Sequence, residues 1–162
     1  MSPQSSSDAR PPGPEAAVHL ALLSRGETVG CAESLTGGEL AALLSATPGA
    51  SATFVGGILS YTTEVKRGLL SVTAAQVVSA DCASQMAAAL RRLMGVDWAL
   101  ATTGVAGPDR QEGKPVGTVY VGLAGPREVR TSRLLLEGDR AEIRAGACAA
   151  ALGMLLAEVS DG

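Results

Sequence analysis

The sequence has few aromatic residues, more acidic than basic side chains, and no long apolar run. Aromatic side chains make up 2% of the 162 residues, so platforms on which bases or sugars could stack are scarce. The 13 basic residues are outnumbered by 16 acidic ones, which excludes the basic surface that generic nucleic-acid binding requires. The longest apolar run, 145–157, is well short of the roughly 20 residues that cross a bilayer and predicts a buried helix instead.

Cysteine and histidine are also scarce, which limits the kinds of site. The chain has three cysteines, an odd number, and its first residues do not resemble a secretion signal. Both observations argue against a disulfide framework and favour a reducing, cytoplasmic compartment. One histidine and no Cys-x-x-Cys pair leave few ligands for zinc, and we expect neither a metal nor a cofactor. His19 lies among apolar residues of a helical pattern, so we interpret it as structural.

What the chain does have is enough apolar side chain for one substantial core, since 46% of its residues are hydrophobic. Residues 1–14 carry Ser and Pro without an apolar stretch and are predicted to form a flexible tail. Residues 15–162 are predicted to form a single domain. We expect no second domain, because too few residues remain for one.

Helical and strand patterns alternate along the chain. The predicted helices are 15–25, 39–45, 62–70, one or two turns at 73–78, 79–94, and a last helix from 139 to about 158. The predicted strands are 28–32, 54–61, 98–103, 116–123 and 128–136. The last two strands are predicted to form a hairpin, and Asp139 and Glu142 to form a capping box. We therefore predict a layered α/β domain with a mixed β-sheet flanked by helices. The polar segment 109–114 is predicted to be a mobile loop.

A polar turn with glycines follows the first predicted strand. Ser34 in this turn lies beside backbone N–H groups that can hold an oxyanion or a phosphate. Gly37 and Gly38 allow a ligand to approach the backbone closely, and Thr36 can add a hydroxyl. The same pattern is typical of a helix cap formed by Ser34 or Thr36, and the local sequence leaves both readings open. Neither a GxSxG elbow nor a Walker motif is present.

A serine nucleophile needs a base, and without a suitable histidine the candidates are lysine and carboxylates. The chain holds two lysines, Lys66 and Lys114. Lysine can lose its proton when it is desolvated or lies beside another cation, whereas arginine cannot. For each lysine, a solvated surface position is the alternative.

Two further places can bind a ligand. The turn Thr103-Gly104-Val105-Ala106-Gly107-Pro108 follows a predicted strand, and open α/β sheets bind ligands at the carboxyl ends of strands. A plain tight turn is the alternative. Arg140, at the start of the last helix, can bind a phosphate or carboxylate through its forked guanidinium, or form a surface ion pair.

Six ordered segments together resemble the C-terminal domain of the CinA family, the nicotinamide mononucleotide deamidases. These segments are 32–38, 48–51, 61–66, 103–108, 114–120 and 138–140. The resemblance implies hydrolysis of the carboxamide of nicotinamide mononucleotide to nicotinic acid mononucleotide and ammonia, a step of pyridine nucleotide salvage. An amidase with another substrate is a narrower alternative. A different class of function also stays open, namely a non-catalytic nucleotide-binding protein or an accessory protein of competence or DNA damage.

The resemblance also assigns roles to single residues. It implies Ser34 as nucleophile, Lys66 as its general base and later proton donor to ammonia, and Tyr61 as an orienting or proton-sharing hydroxyl. The implied substrate-binding residues are Thr36, Gly37, Gly38, Thr103, Gly104, Ala106, Gly107 and Arg140. The implied partners are the small nucleotide substrate and a second copy of the chain in a homodimer, with no direct contact to nucleic acid or membrane.

The sequence departs from the family pattern at three places. Leu35 stands where the family usually has Cys, and Arg110 stands where Gly is common. The triplet 76–78 reads Gln-Val-Val where Gly-Ala-Val is usual. We expect these departures to affect substrate fit and loop shape more than the fold.

Overall fold

The computed structural model describes residues 12–160, and its helices and strands alternate as the sequence predicts. The helices are α1 (Pro14–Arg25), α2 (Glu39–Ala46), α3 (Thr63–Leu70), α4 (Ala80–Met94) and α5 (Arg140–Ser160), with a short 3-10 turn at Ala50–Ala52. The strands are β1 (Val29–Glu33), β2 (Phe54–Leu59), β3 (Trp98–Gly104), β4 (Thr118–Ala124) and β5 (Val129–Leu135). Residues 1–11 of the predicted tail lie outside the described residues.

The helix α1 begins at Pro14, which the sequence analysis assigns to the tail. Proline suits the first turn of a helix for two reasons. Its φ is already close to the helical value, and the N–H group that it lacks would have no acceptor within the helix at this position. The other end of α1 agrees with the prediction, since Gly26 adopts the left-handed conformation, with φ 64°, and closes the helix.

The sheet is mixed, which confirms the predicted fold class. Its strand order is β2-β1-β3-β4-β5. The strand β1 pairs in parallel with β2 and β3, whereas β4 pairs antiparallel with β3 and β5. One apolar cluster joins α1, α2 and α5 to the sheet, and a second joins α3 and α4 to it. The domain is therefore a three-layer structure with helices on both faces.

Small residues let the layers approach closely, as a core of Ala, Leu and Val requires. Gly122 on β4 is the clearest case, because a Cβ built there would lie 2.4 Å from the carbonyl oxygen of Ala83 on α4. Any side chain at this position would push α4 away from the sheet.

Two predicted local motifs at the C-terminal end of the chain are confirmed. The hairpin between β4 and β5 closes with a hydrogen bond from the N–H of Gly125 to the carbonyl of Glu128, at 3.0 Å. At the start of α5, the N–H of Asp139 donates to Glu142 Oε2 at 2.7 Å, and the N–H of Glu142 donates to Asp139 Oδ1 at 2.9 Å. These reciprocal bonds are the predicted capping box.

Within residues 12–160, α5 is the one helix long and apolar enough to cross a membrane by length and composition. Its buried side chains, among them Ile143, Leu152 and Leu155, pack into the apolar cluster between the helices and the sheet. This confirms the interpretation of the long apolar run as a buried helix.

Two predicted local structures are wrong, and the predicted loop 109–114 is a tight turn whose mobility stays a prediction. The segment 73–78 is irregular instead of helical, because its backbone groups bond to distant residues: the N–H groups of Val77 and Val78 donate to the carboxylate of Glu112. The segment 109–114, predicted to be mobile, forms a tight turn anchored by that carboxylate and closed by backbone hydrogen bonds between Gln111 and Lys114. The strand β2 ends at Leu59, so Tyr61 lies beyond it.

Candidate active site

The candidate site lies where the three parallel strands end. Ser34 follows β1 directly, Tyr61 comes two residues after β2, and the turn 105–107 follows β3. Because the carboxyl ends of neighbouring parallel strands meet at one edge of a sheet, these three segments converge there. The short helix α3 then brings Lys66 to the same edge.

Ser34 and Lys66, which are 32 positions apart in the sequence, are hydrogen-bonded through their side chains. The distance from Lys66 Nζ to Ser34 Oγ is 2.9 Å, and Nζ also donates to the carbonyl oxygen of Tyr61 at 3.1 Å. Lys66 is 2% exposed and Ser34 is 8% exposed. The amine therefore lies within the distance at which a base takes a proton directly from a hydroxyl.

Burial lowers the pKa of Lys66, because the charged ammonium loses its hydration. Negative charge on Cys82, Glu112 and Glu64 would oppose this effect, in that order of size. Burial also raises the pKa of the Cys82 thiol to about 11, so that Cys82 is uncharged near neutral pH. The net effect is a lowered pKa of Lys66, which increases the fraction of the neutral amine, the form that can act as a base.

The second lysine lies elsewhere. Lys114 Nζ donates to the side-chain oxygen of Gln76 at 2.7 Å, in an exposed contact. His19 is also away from the candidate site: it is 7% exposed, and its Nδ1 lies 2.8 Å from the hydroxyl of Thr53. This hydrogen bond ties α1 to the segment before β2, in agreement with the structural interpretation of His19.

A buried carboxylate, Glu33, fixes the turn that carries Ser34. Glu33 is 1% exposed, and its two carboxylate oxygens accept hydrogen bonds from the N–H groups of Leu40 and Ala41, at 2.8 and 3.1 Å. These amides belong to the first turn of α2, where a negative charge also suits the helix dipole. Neither Ser34 nor Thr36 caps the helix, because the N-cap residue is Gly38, with φ 102°.

Glu33 was not predicted from the sequence as a positioning residue. The signal available was an acidic residue at the end of a buried strand, shortly before a helix begins.

Two backbone N–H groups of the turn are left without a hydrogen-bond partner among the described residues. The N–H of Ser34 donates to the carbonyl of Thr102, and that of Gly37 donates to the carbonyl of Ser34, each at 3.0 Å. Within the described part of the chain, the N–H groups of Leu35 and Thr36 have no hydrogen-bond acceptor. Donors next to a nucleophile are the arrangement that stabilises an oxyanion.

The hydroxyl of Thr36 does not face a ligand as the sequence analysis expects. Thr36 is fully buried, and its hydroxyl lies 2.7 Å from that of Thr102. The hydroxyl of Thr103 is also bound within the protein, since it donates to the carbonyl of Val77 at 2.6 Å. The two threonines therefore hold the site together through their side chains.

A cavity of about 90 Å³, here called the serine cavity, opens onto the pair. It is lined by Ser34, Leu35, Tyr61, Lys66, Val77, Val78, Thr103, Gly104 and Gln111. Its polar groups, from Ser34, Lys66 and Gln111, face apolar walls from Leu35 and the two valines. Two of the three departures from the family pattern thus lie at this cavity.

A second cavity of about 380 Å³, here called the arginine cavity, shares Leu35 and Tyr61 with the first. Its other lining residues are Gly37, Leu59, Arg140 and Arg144. The guanidinium of Arg140 donates to the hydroxyl of Tyr61 at 2.8 Å and to the carbonyl of Gly107 at 2.5 Å. Arg140 therefore connects the turn after β2 with the turn after β3.

Arg144 is a candidate that the sequence analysis missed. Its guanidinium donates to the carbonyl of Thr36 at 2.9 Å and lies 3.7 Å from the carboxylate of Glu39. Its position four residues after Arg140 on α5 was the available signal, because residues four apart share one face of a helix.

Four of the predicted binding residues, Thr36, Gly38, Ala106 and Gly107, line neither cavity. The side chain of Ala106 belongs to the apolar core. A Cβ at Gly107, where φ is 91°, would lie 2.8 Å from the side chain of Val116.

The chain matches the family model described as the CinA C-terminal domain over residues 13–159. A "CinA-like protein" of Frankia casuarinae is 50% identical over 139 residues, which are 83% of this chain and 32% of that protein. A "Putative competence-damage inducible protein" of Desulforudis audaxviator is 46% identical over 139 residues, 82% of this chain and 34% of that protein. The chain thus spans about a third of the length of these curated relatives.

Solved structures of similar size also match. A CinA superfamily protein of Klebsiella pneumoniae is 31% identical, with a TM-score of 0.87, over 93% of this chain and 100% of that chain. The competence/damage inducible protein CihA of Agrobacterium tumefaciens is 32% identical, with a TM-score of 0.81, over 90% of this chain and 96% of that chain.

Proposed function

We propose, from the premise that the chain belongs to the family of the CinA C-terminal domain, that it hydrolyses the carboxamide of nicotinamide mononucleotide. The products are nicotinic acid mononucleotide and ammonia. The observation that carries the proposal is the buried contact of 2.9 Å between Ser34 Oγ and Lys66 Nζ. A serine hydroxyl becomes a nucleophile when a neutral base lies within hydrogen-bond distance.

In the first half of the reaction, Ser34 Oγ attacks the carboxamide carbon while the neutral amine of Lys66 takes the hydroxyl proton. The carbonyl oxygen becomes an oxyanion, for which the N–H groups of Leu35 and Thr36 are the candidate donors. The C–N bond then breaks, and the ammonium of Lys66 gives its proton to the leaving nitrogen. Ammonia leaves, and the acyl group remains on Ser34 as an ester.

In the second half, water attacks the ester carbon and Lys66 takes a proton from the water. The C–O bond to Ser34 breaks, and Lys66 returns its proton to Ser34 Oγ. The acid is released and the enzyme is restored with the amine neutral. A lowered pKa of Lys66 increases the fraction of neutral amine available at the start of each half, and it makes the ammonium a better proton donor to the leaving group.

The two adjoining cavities support a substrate with two unlike ends. The serine cavity, at about 90 Å³, has room for a carboxamide group but not for a whole nucleotide. The arginine cavity, at about 380 Å³, offers two guanidinium groups from Arg140 and Arg144 for a phosphate. We expect the ribose to cross the boundary between the cavities at Leu35 and Tyr61.

The direct test measures ammonia and nicotinic acid mononucleotide formed by the purified protein from nicotinamide mononucleotide. Ser34→Ala should reduce the rate on the order of 10⁴-fold or more. Lys66→Arg should reduce it severely, because arginine keeps the charge but cannot act as a base. The matched control is Arg130→Lys on β5, which lines neither cavity and should leave the rate unchanged.

The contrary outcome is also measurable. Binding of nicotinamide mononucleotide that raises the melting temperature without forming product would favour the non-catalytic nucleotide-binding protein instead. Turnover by Ser34→Ala near the wild-type rate would remove the serine from the mechanism.

The setting of the reaction is part of the proposal. We propose the cytoplasm as its compartment, since all three cysteines are buried free thiols. The homodimer and the absence of nucleic-acid and membrane contacts rest on the family resemblance and on the acidic composition. Sedimentation of the purified protein tests the homodimer.

A further inference from the structure

Two segments that are distant in the sequence form one wall of the serine cavity. The first, here called the valine wall, is 76–79, and the second, here called the outer turn, is 109–114. Glu112 at the tip of the outer turn accepts hydrogen bonds from the N–H groups of Val77 and Val78, at 2.9 and 2.8 Å. Each carboxylate oxygen takes one of these amides, so the contact is bidentate and charge-assisted.

The valine wall is held from its other side as well. The hydroxyl of Thr103, at the end of β3, donates to the carbonyl of Val77 at 2.6 Å. Lys114 in the outer turn reaches Gln76 at 2.7 Å. The N–H of Val77 is therefore bound to the outer turn and its carbonyl is bound to the end of β3. These two contacts fix the backbone of Val77 at the wall of the cavity that Ser34 and Lys66 also line.

The backbone of Glu112 is itself unusual. Its φ is 51°, in the left-handed region that residues with a Cβ avoid. Such a conformation persists where the surrounding contacts compensate for it, and it concentrates at functional sites. The neighbouring residue, Gln111, lines the serine cavity. Glu112, the strained residue, thus connects Gln111 at the cavity with the backbone amides of Val77 and Val78.

We propose that Glu112 is a positioning residue of the site: its carboxylate clamps the outer turn onto the valine wall and so holds Val77 and Gln111 around the Ser34 and Lys66 pair. We expect the clamp to make the serine cavity, at about 90 Å³, selective for a primary carboxamide over an N-substituted one. This inference rests on the proposed function for its substrate, while its structural part stands independently.

The same carboxylate acts on Lys66 through its charge. The titratable groups that influence Lys66 are Cys82 on α4, Glu64 on α3 and Glu112 on the outer turn. Cys82 is uncharged near neutral pH, since its pKa is raised to about 11. Glu112 is therefore the stronger of the two negative charges that oppose the effect of burial. Removing its charge should lower the pKa of Lys66.

The structural part is tested by NMR on the whole chain without substrate. Glu112→Gln removes the charge and one of the two acceptors, and Glu64→Gln is the matched control that removes a charge near Lys66 without touching the valine wall. We expect faster hydrogen exchange of the Val77 and Val78 amides in Glu112→Gln and unchanged exchange in Glu64→Gln.

The chain has only two lysines, so labelling the lysine side chains with ¹³C gives two ε-carbon signals, which Lys114→Arg assigns. We expect the titration midpoint of Lys66 to move to lower pH in Glu112→Gln, by more than in Glu64→Gln. A midpoint and amide exchange that both match wild type would overturn the proposal.

The kinetic part uses nicotinamide mononucleotide and its N-methyl carboxamide analogue. In Glu112→Gln we expect kcat on the primary amide to fall roughly 10- to 100-fold, as for a displaced catalytic geometry. The acid limb of the pH profile of kcat should move to lower pH, which a general loss of folding would not produce. The preference for the primary over the N-methyl amide should narrow, and an unchanged preference would contradict the clamp.

A second variant guards against poor folding of the first. Glu112→Asn keeps a residue that tolerates left-handed φ while shortening the side chain, so it isolates the loss of the carboxylate contact. It should reproduce the amide exchange and the narrowed preference. If wild type and every variant fail to release ammonia, the proposed function is wrong, while the NMR measurements still decide the role of Glu112.

Discussion

The parallel and antiparallel halves of the sheet differ in what their strand ends do. In the parallel half, β1 is buried along its whole length and β3 along nearly all of it, and their carboxyl ends lead into the turns of the candidate site. In the antiparallel half, β4 and β5 are joined by a short hairpin, and β5 is exposed at most of its residues. Parallel strands cannot be joined by hairpins, so each must leave the sheet at the same edge.

This contrast explains why the buried Glu33 and Lys66 lie beside the parallel half. The turns after β1 and β2 bring Ser34 and the backbone of Tyr61 to Lys66, where Glu33 and Thr36 are buried as well. The antiparallel half carries its charges in solvent, for instance Arg130, which pairs with Glu128 and Glu158. Substitutions in the two halves should therefore have unequal effects.

Apart from loss of the Ser34 nucleophile, the largest effect is expected at Lys66. Lys66→Met should reduce the rate of amide hydrolysis on the order of 10³-fold, because it removes the base. The same variant should be more stable than wild type near neutral pH, since a buried amine that must lose its hydration is replaced by an apolar chain of similar volume. Activity assays and thermal melting of the same preparation check both effects.

The pH dependence of stability sharpens that prediction. The pKa of Lys66 is lowered in the folded protein, so the unfolded chain binds more protons between the folded value and the ordinary value for lysine. Stability should therefore rise with pH across that interval. In Lys66→Met this rise should disappear, and a melting temperature that climbs with pH as steeply as in wild type would contradict the assignment.

An intermediate effect is expected at Glu33, which joins β1 to α2. Glu33→Gln replaces one of two acceptor oxygens by a donor that faces an N–H group, and should cost about 1–3 kcal/mol of unfolding free energy. Denaturant unfolding measures this loss. Because the turn with Ser34 depends on the same contact, kcat should fall too. Unchanged stability would contradict the structural role assigned to the Glu33 carboxylate.

The smallest effect is expected in the antiparallel half. Arg130→Ala removes a half-exposed side chain from two surface ion pairs, with 51% of the arginine side chain in solvent. Such pairs contribute little, so the melting temperature and the rate should both stay within experimental scatter. A clear loss of activity would contradict this expectation, because it would show that the antiparallel half affects catalysis at the carboxyl ends of the parallel strands.

Much of the fold was predictable because its signals are local. Gly26 ends α1, Ser79 caps α4 through a hydrogen bond to the N–H of Cys82, and Asp139 with Glu142 begins α5. Each depends on residues within a few positions of each other, which a sequence displays directly. The segment 73–78 failed as a helix because its amides bond to Glu112, about 35 positions away.

The candidate site was predictable only in part. Spacing left Ser34 open as a helix cap and both lysines open as surface residues, and the family resemblance singled out Ser34 and Lys66. The roles of Glu33, Glu112 and Arg144 were missed, since each acts on backbone groups of another segment. A carboxylate that accepts hydrogen bonds from main-chain amides cannot be recognised from a sequence motif, because almost every residue carries such an amide.

Three properties follow from the amino-acid sequence alone: the order of helices and strands, a core of small apolar residues, and a charge balance unsuited to generic nucleic-acid binding. Propensity, periodicity and net charge depend on composition and on near neighbours. Only the tertiary structure decided that Lys66 Nζ lies beside Ser34 Oγ, that Lys114 does not, and that Glu112 reaches the valine wall. These contacts arise when parallel strands end at a common edge, which brings distant parts of the chain together and removes their water.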